Sequence, residues 1–138
     1  MQSMLSTLRK GAKFNIIHFN DKGRTWQANG FLISVNDGAI ETAIDYLDGY
    51  KPEGASNAFA GFKRAFSSTE MDTVIYMSDG FSTTKTGDRL PYIEALAQIR
   101  NLNRFRNARI FSIGFKGTAR DFMKKLAKQN GGQHHEVD

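Results

Sequence analysis

The order of apolar and polar residues along the chain predicts strands that alternate with helices. Apolar runs typical of strands occupy residues 13–19, 25–35, 73–77, 108–115 and 133–137. Apolar residues at helical spacing predict helices over residues 37–48, 56–67, 88–103 and 118–130. Such alternation indicates βαβ units, in which right-handed crossovers place helices on both faces of the sheet. The predicted fold class is therefore α/β, with a doubly wound, mostly parallel sheet.

The chain is organised around the strand at residues 73–77, which runs directly into Ser78-Asp79-Gly80. An acidic side chain therefore stands at the carboxyl end of a buried strand, the edge at which open α/β sheets bind ligands. The inward strand positions and helix stripes also predict a core. Its expected members are Ile17, Phe62, Ile75, Met77, Ile113 and Leu126.

Composition restricts the class of protein without identifying it. The 138 residues are enough for one domain, with 40% hydrophobic and 24% charged residues. No apolar run approaches the roughly 18 residues of a membrane-spanning helix. The chain has no cysteine, which excludes disulfides, thiolate metal sites and thiol nucleophiles but leaves the compartment open.

The net charge of +5 is concentrated in the second half of the chain. Four arginines surround the end of one predicted helix, and a second basic group lies on another helix. These residues are Arg100, Arg104, Arg106 and Arg109, and Arg120, Lys124, Lys125 and Lys128. A solvated basic face near a helix C-terminus is the common explanation. Nucleic-acid binding is the less favoured one, because no recognition motif accompanies the charge.

Two loops carry the candidate chemistry. Gly54-Ala55-Ser56-Asn57 precedes a helix and Asp79-Gly80 follows a strand, so both are expected at the same sheet edge. A hydroxyl and a carboxylate are hard oxygen ligands suited to Mg²⁺, Mn²⁺ or Ca²⁺. Taken singly, Ser56 is also an ordinary helix cap and Asp79 an ordinary turn residue.

Nothing in the sequence predicts catalysis. His134 and His135 are adjacent on a predicted strand, so they point to opposite faces and do not chelate one ion together. His18 lies within a strand pattern and is interpreted as a packed side chain. The chain has no phosphate-binding glycine loop and no nucleophile elbow.

Several segments in this order resemble the von Willebrand factor type A domain family. They are KFNIIHFND, AIDYLDGYKPEGASN, AFAGFKRAF, DTVIYMSDG, ARIFSIGF and FMKKLAKQNGGQHHEV, and the resemblance runs from about residue 5 to residue 137. The resemblance implies a doubly wound α/β fold and a binding module with a metal-ion-dependent adhesion site at the carboxyl edge of the sheet. In the family, an Asp-x-Ser-x-Ser motif, a later Thr and a late Asp hold the cation, and an acidic residue of the partner completes its coordination.

By position, the resemblance implies that Ser56 replaces that Thr and that Asp79 is the late Asp. Gly54, Asn57 and Gly80 then form the binding rim. The chain lacks the Asp-x-Ser-x-Ser motif and the first strand that carries it. We therefore expect a single domain over residues 1–138 that is incomplete at its N-terminus, in which the cation binds weakly or not at all.

The missing strand is central in the family and would separate the strands at residues 13–19 and 73–77. Three outcomes would satisfy their backbone groups: direct pairing of the two, a strand upstream in a longer protein, or a strand from another chain, including a second copy. We expect self-association through this gap.

The sequence thus predicts a non-enzymatic protein-interaction module with an incomplete divalent-metal site, whose partner contributes an acidic residue. The first alternative is a flavodoxin-like domain that binds a small ligand or nucleotide at the same edge. The second is a basic-face nucleic-acid binder.

Overall fold

The computed structural model describes residues 2–20, 24–51, 57–78, 91–115 and 120–138. The helices are α1 (Gln2–Leu5), α2 (Asp37–Gly49), α3 (Ala58–Phe66), α4 (Tyr92–Asn103) and α5 (Arg120–Gln129), with a 3₁₀ turn at Ala28–Gly30. The strands are β1 (Lys13–Phe14), β2 (Ile17–His18), β3 (Arg24–Thr25), β4 (Ile33–Ser34), β5 (Thr73–Ser78), β6 (Arg109–Phe115) and β7 (His134–Val137). None of the helices in this part of the chain has the length and apolar character needed to cross a bilayer.

The main sheet is parallel and has the order β5-β6-β7. Its register pairs Thr73 with Arg109 and Ser112 with His134. Helices α4 and α5 make the two crossovers between these strands. The predicted α/β class with a mostly parallel sheet is confirmed.

One face of this sheet carries the larger hydrophobic core. Tyr76 of β5 and Ile110 of β6 are buried there against helices α3, α4 and α5. Phe62 and Leu126, both predicted to be in the core, are buried in this cluster. Because strand residues alternate between faces, the neighbours of Tyr76 and Ile110 along each strand point the other way.

The prediction for Ile75 is wrong, because its side chain is 41% exposed. Met77 and Ile113, on the same face, are only half-buried. None of the three packs in either hydrophobic cluster of the described residues. The strand assignment itself holds, since Ile75 pairs with Phe111 in the parallel ladder. The physical reason is that helices cover the Tyr76 face of β5, whereas the Ile75 face is only partly covered.

The predicted strand at residues 13–19 is interrupted at Asn15. The side-chain oxygen of Asn15 accepts hydrogen bonds from the backbone N–H groups of Ile16 at 2.8 Å and Gln27 at 3.0 Å. This contact replaces a ladder position and leaves two short strands. β1 pairs with β4 and β2 pairs with β3, both antiparallel, and neither pairs with β5. Direct pairing across the gap is therefore not the outcome for these segments.

A second, smaller cluster is formed by residues of α1, of α2 and of the segment between β1 and β2. Leu5, Ile16 and Ala43 are buried in it, while Ile17 is half-buried. Helix α2 begins as predicted, since the Asn36 side chain accepts a hydrogen bond of 2.9 Å from the N–H of Ala39. Phe19 packs against the larger cluster, with its ring centroid 5.2 Å from that of Tyr76.

Candidate functional site

The carboxyl edge of the sheet is where the sequence predicts a site, and two described elements, β5 and α3, are directed toward it. β5 ends at this edge with Ser78. The C-terminal end of α3 is fixed at the amino edge. Arg106, just after α4, donates hydrogen bonds there to Phe66 O at 2.8 Å and to Met71 O at 3.1 Å. Helix α3 therefore begins near the carboxyl edge.

Asn57, predicted to be on the binding rim, is the N-cap of α3. Its side-chain oxygen accepts a hydrogen bond of 3.1 Å from the N–H of Ala60, and only 7% of the residue is exposed. Its amide is therefore used by the helix, and a role at a binding rim stays a prediction. Ser78, which precedes Asp79, is also buried.

The predicted metal ligands Ser56 and Asp79, and the rim residues Gly54 and Gly80, lie outside the described residues. Their roles remain predictions. A hydroxyl and one carboxylate fit a hard cation chemically, but they supply little negative charge, and affinity rises with ligand charge and number. Across the residues that the structure describes, no group of three or more His, Cys, Asp or Glu side chains is arranged to hold a metal ion.

His134 and His135 face opposite sides of β7, as predicted, because adjacent strand residues alternate. His134 Nδ1 lies 2.9 Å from Ser112 Oγ, and that hydroxyl donates to Met123 O at 2.8 Å. A hydroxyl has one proton, so His134 donates from Nδ1 and its Nε2 is the atom that would take up a second proton. The pKa of His134 is lowered first by burial and then by the positive charge of Lys124.

His18 is also a packed side chain. Its ring lies edge-on to the ring of Tyr50, with 3.5 Å between centroids. Burial lowers its pKa. The interpretation of His18 as a packed side chain therefore agrees with the structure.

A basic cleft at the opposite, amino edge was not predicted. Arg100, Arg104 and Arg109 line a cavity of about 390 Å³ together with Asn107 and Gln129. The sequence places Arg106 in the same basic group. Its guanidinium instead points inward, against the carbonyls that follow α3.

Comparison with known proteins gives one consistent result. A family model for the von Willebrand factor type A domain matches residues 1–136. The human von Willebrand factor A domain-containing protein 3B is 25% identical over 138 residues, which are 98% of this chain and 10% of that protein. The human protein 3A is 22% identical over 125 residues, covering 88% of this chain and 10% of that protein. This chain therefore spans about a tenth of the length of these relatives.

A solved structure described as von Willebrand factor type A from Catenulispora acidiphila has the same fold. It superposes with a TM-score of 0.78 at 16% identity, over 99% of this chain and 32% of that chain.

Proposed function

This chain belongs to the von Willebrand factor type A domain family, and we propose that it works as a protein-interaction module through the carboxyl edge of its sheet. Domains of this family are generally interaction modules and typically not enzymes. The observation that supports the proposal is the anchoring of the C-terminal end of α3 near the amino edge, which directs the start of α3 toward the carboxyl edge where β5 ends. Ser56 and Asp79 adjoin these two ends in the sequence.

In this proposal, Ser56 and Asp79 offer oxygen ligands to Mg²⁺, or to Mn²⁺ or Ca²⁺, and an acidic side chain of the partner completes the coordination. With one carboxylate and one hydroxyl, the chain alone holds the cation weakly. The partner's carboxylate then supplies the missing charge, so cation and partner bind together. Gly54, Asn57 and Gly80 form the surrounding rim.

Paramagnetic broadening by Mn²⁺ in backbone amide NMR spectra tests the proposal. Addition of Mn²⁺ to about 1 mM should broaden the signals of Ser78 and Asn57 first. Asp79→Asn should abolish the effect. Asp72→Asn removes an exposed carboxylate before β5 and should leave the broadening unchanged. Broadening that survives Asp79→Asn, or that centres on the amino edge, would show that the site is elsewhere.

The same spectra decide between interaction module and nucleotide binder. Titration with ATP and with FMN in the absence of Mn²⁺ should leave the signals of the carboxyl edge in place. Shifts at Ser78 that saturate with either compound would instead support a small-ligand domain.

A second copy of the chain is a further proposed partner. β5 pairs with β6 on one side, and no described strand pairs with it on the other. The face of the sheet that carries Ile75 and Met77 is apolar and incompletely covered. An uncovered apolar edge strand is a template for pairing with another strand.

A further inference from the structure

A continuous surface runs along the outer side of α4 and changes from apolar to basic. At the start of the helix, a groove of about 480 Å³ lies between α4 and α5. It opens at its far end into the basic cleft, because Arg100 and Gln129 line both cavities. We call this surface the α4 groove. The apolar part is lined by Tyr92, Ile93, Leu96 and Ala97, and the basic part by Arg100, Arg104 and Arg109.

The apolar part exposes Ile93, which contributes to neither hydrophobic core of the described residues. Ile93 is 70% exposed. Its neighbour Tyr92 is held in place by Lys125, whose Nζ lies 5.1 Å from the ring centroid and 3.3 Å from the hydroxyl. Gln129 Nε2 donates to Leu96 O at 3.0 Å and ties α5 to α4. Side chains of α5 therefore contact α4 along the groove.

The basic part has guanidinium groups available for a ligand. All three arginines are exposed. The ion pairs found in the described part of the chain are Lys13–Glu70 and Arg120–Glu136, so none involves these arginines. Arg104 lies over the ring of Phe105, which is 86% exposed, at 5.2 Å from its centroid. The C-terminus of α4 offsets only about half of one positive charge, so most of the basic charge remains.

We propose that the α4 groove binds an acidic, amphipathic segment of another protein. Its apolar side chains pack on Ile93 and Ala97, while its carboxylates form paired hydrogen bonds with Arg100, Arg104 and Arg109. The 12 residues of α4 correspond to roughly 18 Å, the length of about three helical turns of a partner. A nucleic acid fits less well, because the apolar half of the groove offers few cations to its phosphates.

This interaction goes beyond the proposed function and is separable from it. The basic part lies at the amino edge, where β6 begins, and the proposed metal site lies at the carboxyl edge. Binding in the α4 groove should therefore persist in EDTA. A negative result for one of the two proposed sites therefore does not contradict the proposal for the other.

Selection from a phage-displayed library of random 12-residue peptides, carried out in EDTA, tests the proposal without a known partner. The peptides enriched on the wild-type chain should combine acidic residues with aliphatic or aromatic ones. Synthetic copies should bind, by fluorescence anisotropy, about tenfold more weakly to the triple variant Arg100→Gln, Arg104→Gln, Arg109→Gln. Ile93→Ser should weaken the same peptides several-fold.

A charge-matched control distinguishes peptide binding in the α4 groove from non-specific electrostatic attraction to the protein. The triple variant Arg9→Gln, Lys10→Gln, Lys51→Gln removes the same charge from other exposed positions and should change affinity less than about twofold. Equal enrichment on wild type and groove variant, or no enrichment on either, would overturn the proposal. The proposal would also fail if a 12-nucleotide single-stranded nucleic acid bound more tightly than the peptides and Ile93→Ser left its affinity unchanged.

Discussion

The buried side chains of Asn103 and Asn130 join the ends of α4 and α5 through a hydrogen bond of 2.8 Å, from Asn103 Nδ2 to Asn130 Oδ1. Asn103 also accepts from Ala108 N and donates to Ala108 O, each at 2.8 Å. Asn130 in turn donates to Leu126 O at 2.8 Å. Both amides line the basic cleft. The arginines of the cleft therefore lie next to a hydrogen-bonded junction between α4 and α5.

Asn103→Ala should lower the free energy of unfolding by about 2–3 kcal/mol, because it leaves the buried backbone groups of Ala108 and the oxygen of Asn130 without this partner. Urea denaturation monitored by circular dichroism measures the loss. Asn101→Ala changes an exposed asparagine of the same helix and should stay within about 0.5 kcal/mol of wild type. Equal effects of the two substitutions would show that the buried network contributes nothing specific.

Arg106→Lys should cost about 1.5–3 kcal/mol of stability, although it keeps the charge. The guanidinium bridges Phe66 O at 2.8 Å, Ser68 O at 2.6 Å and Met71 O at 3.1 Å, and an ammonium group cannot span the same three acceptors. Thermal unfolding compares it with Arg104→Lys, an exposed change two residues earlier that should leave the midpoint nearly unchanged. A midpoint for Arg106→Lys as high as that control would contradict the bridging role.

The sequence predicted the elements whose signals are local. The apolar runs of β5 and β6, the start of α2 and the spacing in α5 each depend on neighbouring residues, and all were found. The interruption at Asn15 was not predictable in this way, because its oxygen bonds to Gln27, 12 residues later. The exposure of Ile75 depends on which face of the sheet the helices cover, and that is decided by tertiary packing.

The same distinction between local sequence signals and long-range contacts applies to the candidate sites. The inward arginine could not be recognised from charge alone, since the acceptors of Arg106 lie between 35 and 40 residues earlier in the chain. The continuity of the α4 groove also required the structure, because Lys125 and Gln129 come from a different helix than Ile93. Ser56 and Asp79 remain predictions from sequence and family resemblance.

Gly132→Ala should destabilise the fold by about 3 kcal/mol or more, since a Cβ there would meet the backbone oxygen of Ile110 at 2.1 Å and force the segment before β7 away from β6. Gly49→Ala is the matched control. A Cβ at Gly49 meets nothing within 4 Å, so this change should be neutral or stabilise by about 0.4–1 kcal/mol. Chemical denaturation of both variants checks the opposite signs. A Gly132→Ala protein as stable as wild type would mean that the segment before β7 lies further from β6 than described.

Stability should fall as the pH is lowered below 6.5. The pKa values of His18 and His134 lie below the usual imidazole value of 6.5, in both cases first because of burial. The unfolded chain therefore binds protons before the folded one does. The contribution of these groups is complete above pH 6.5 and is lost as the pH falls through the folded-state pKa values.

Urea unfolding at pH 7.5, 6.5 and 5.5 measures this dependence. His134→Asn should flatten it, whatever its effect at pH 7.5, while Gln133→Asn, an exposed change beside the strand, should not. A pH dependence that is identical in wild type and His134→Asn would remove His134 from the explanation.

Self-association through β5 is expected at high protein concentration. The strand is apolar, Ile75 is exposed at 41%, and its outer edge pairs with no described strand, so a second chain can add to it. Ile75→Lys places a charge on that face and should shift the sedimentation profile toward monomer, with little loss of stability because the side chain is already exposed. Ile93→Lys, the same change on the outer side of α4, should leave association unchanged. A wild-type chain that stays monomeric at high concentration would refute the association, and the uncovered edge would then be tolerated by an isolated domain.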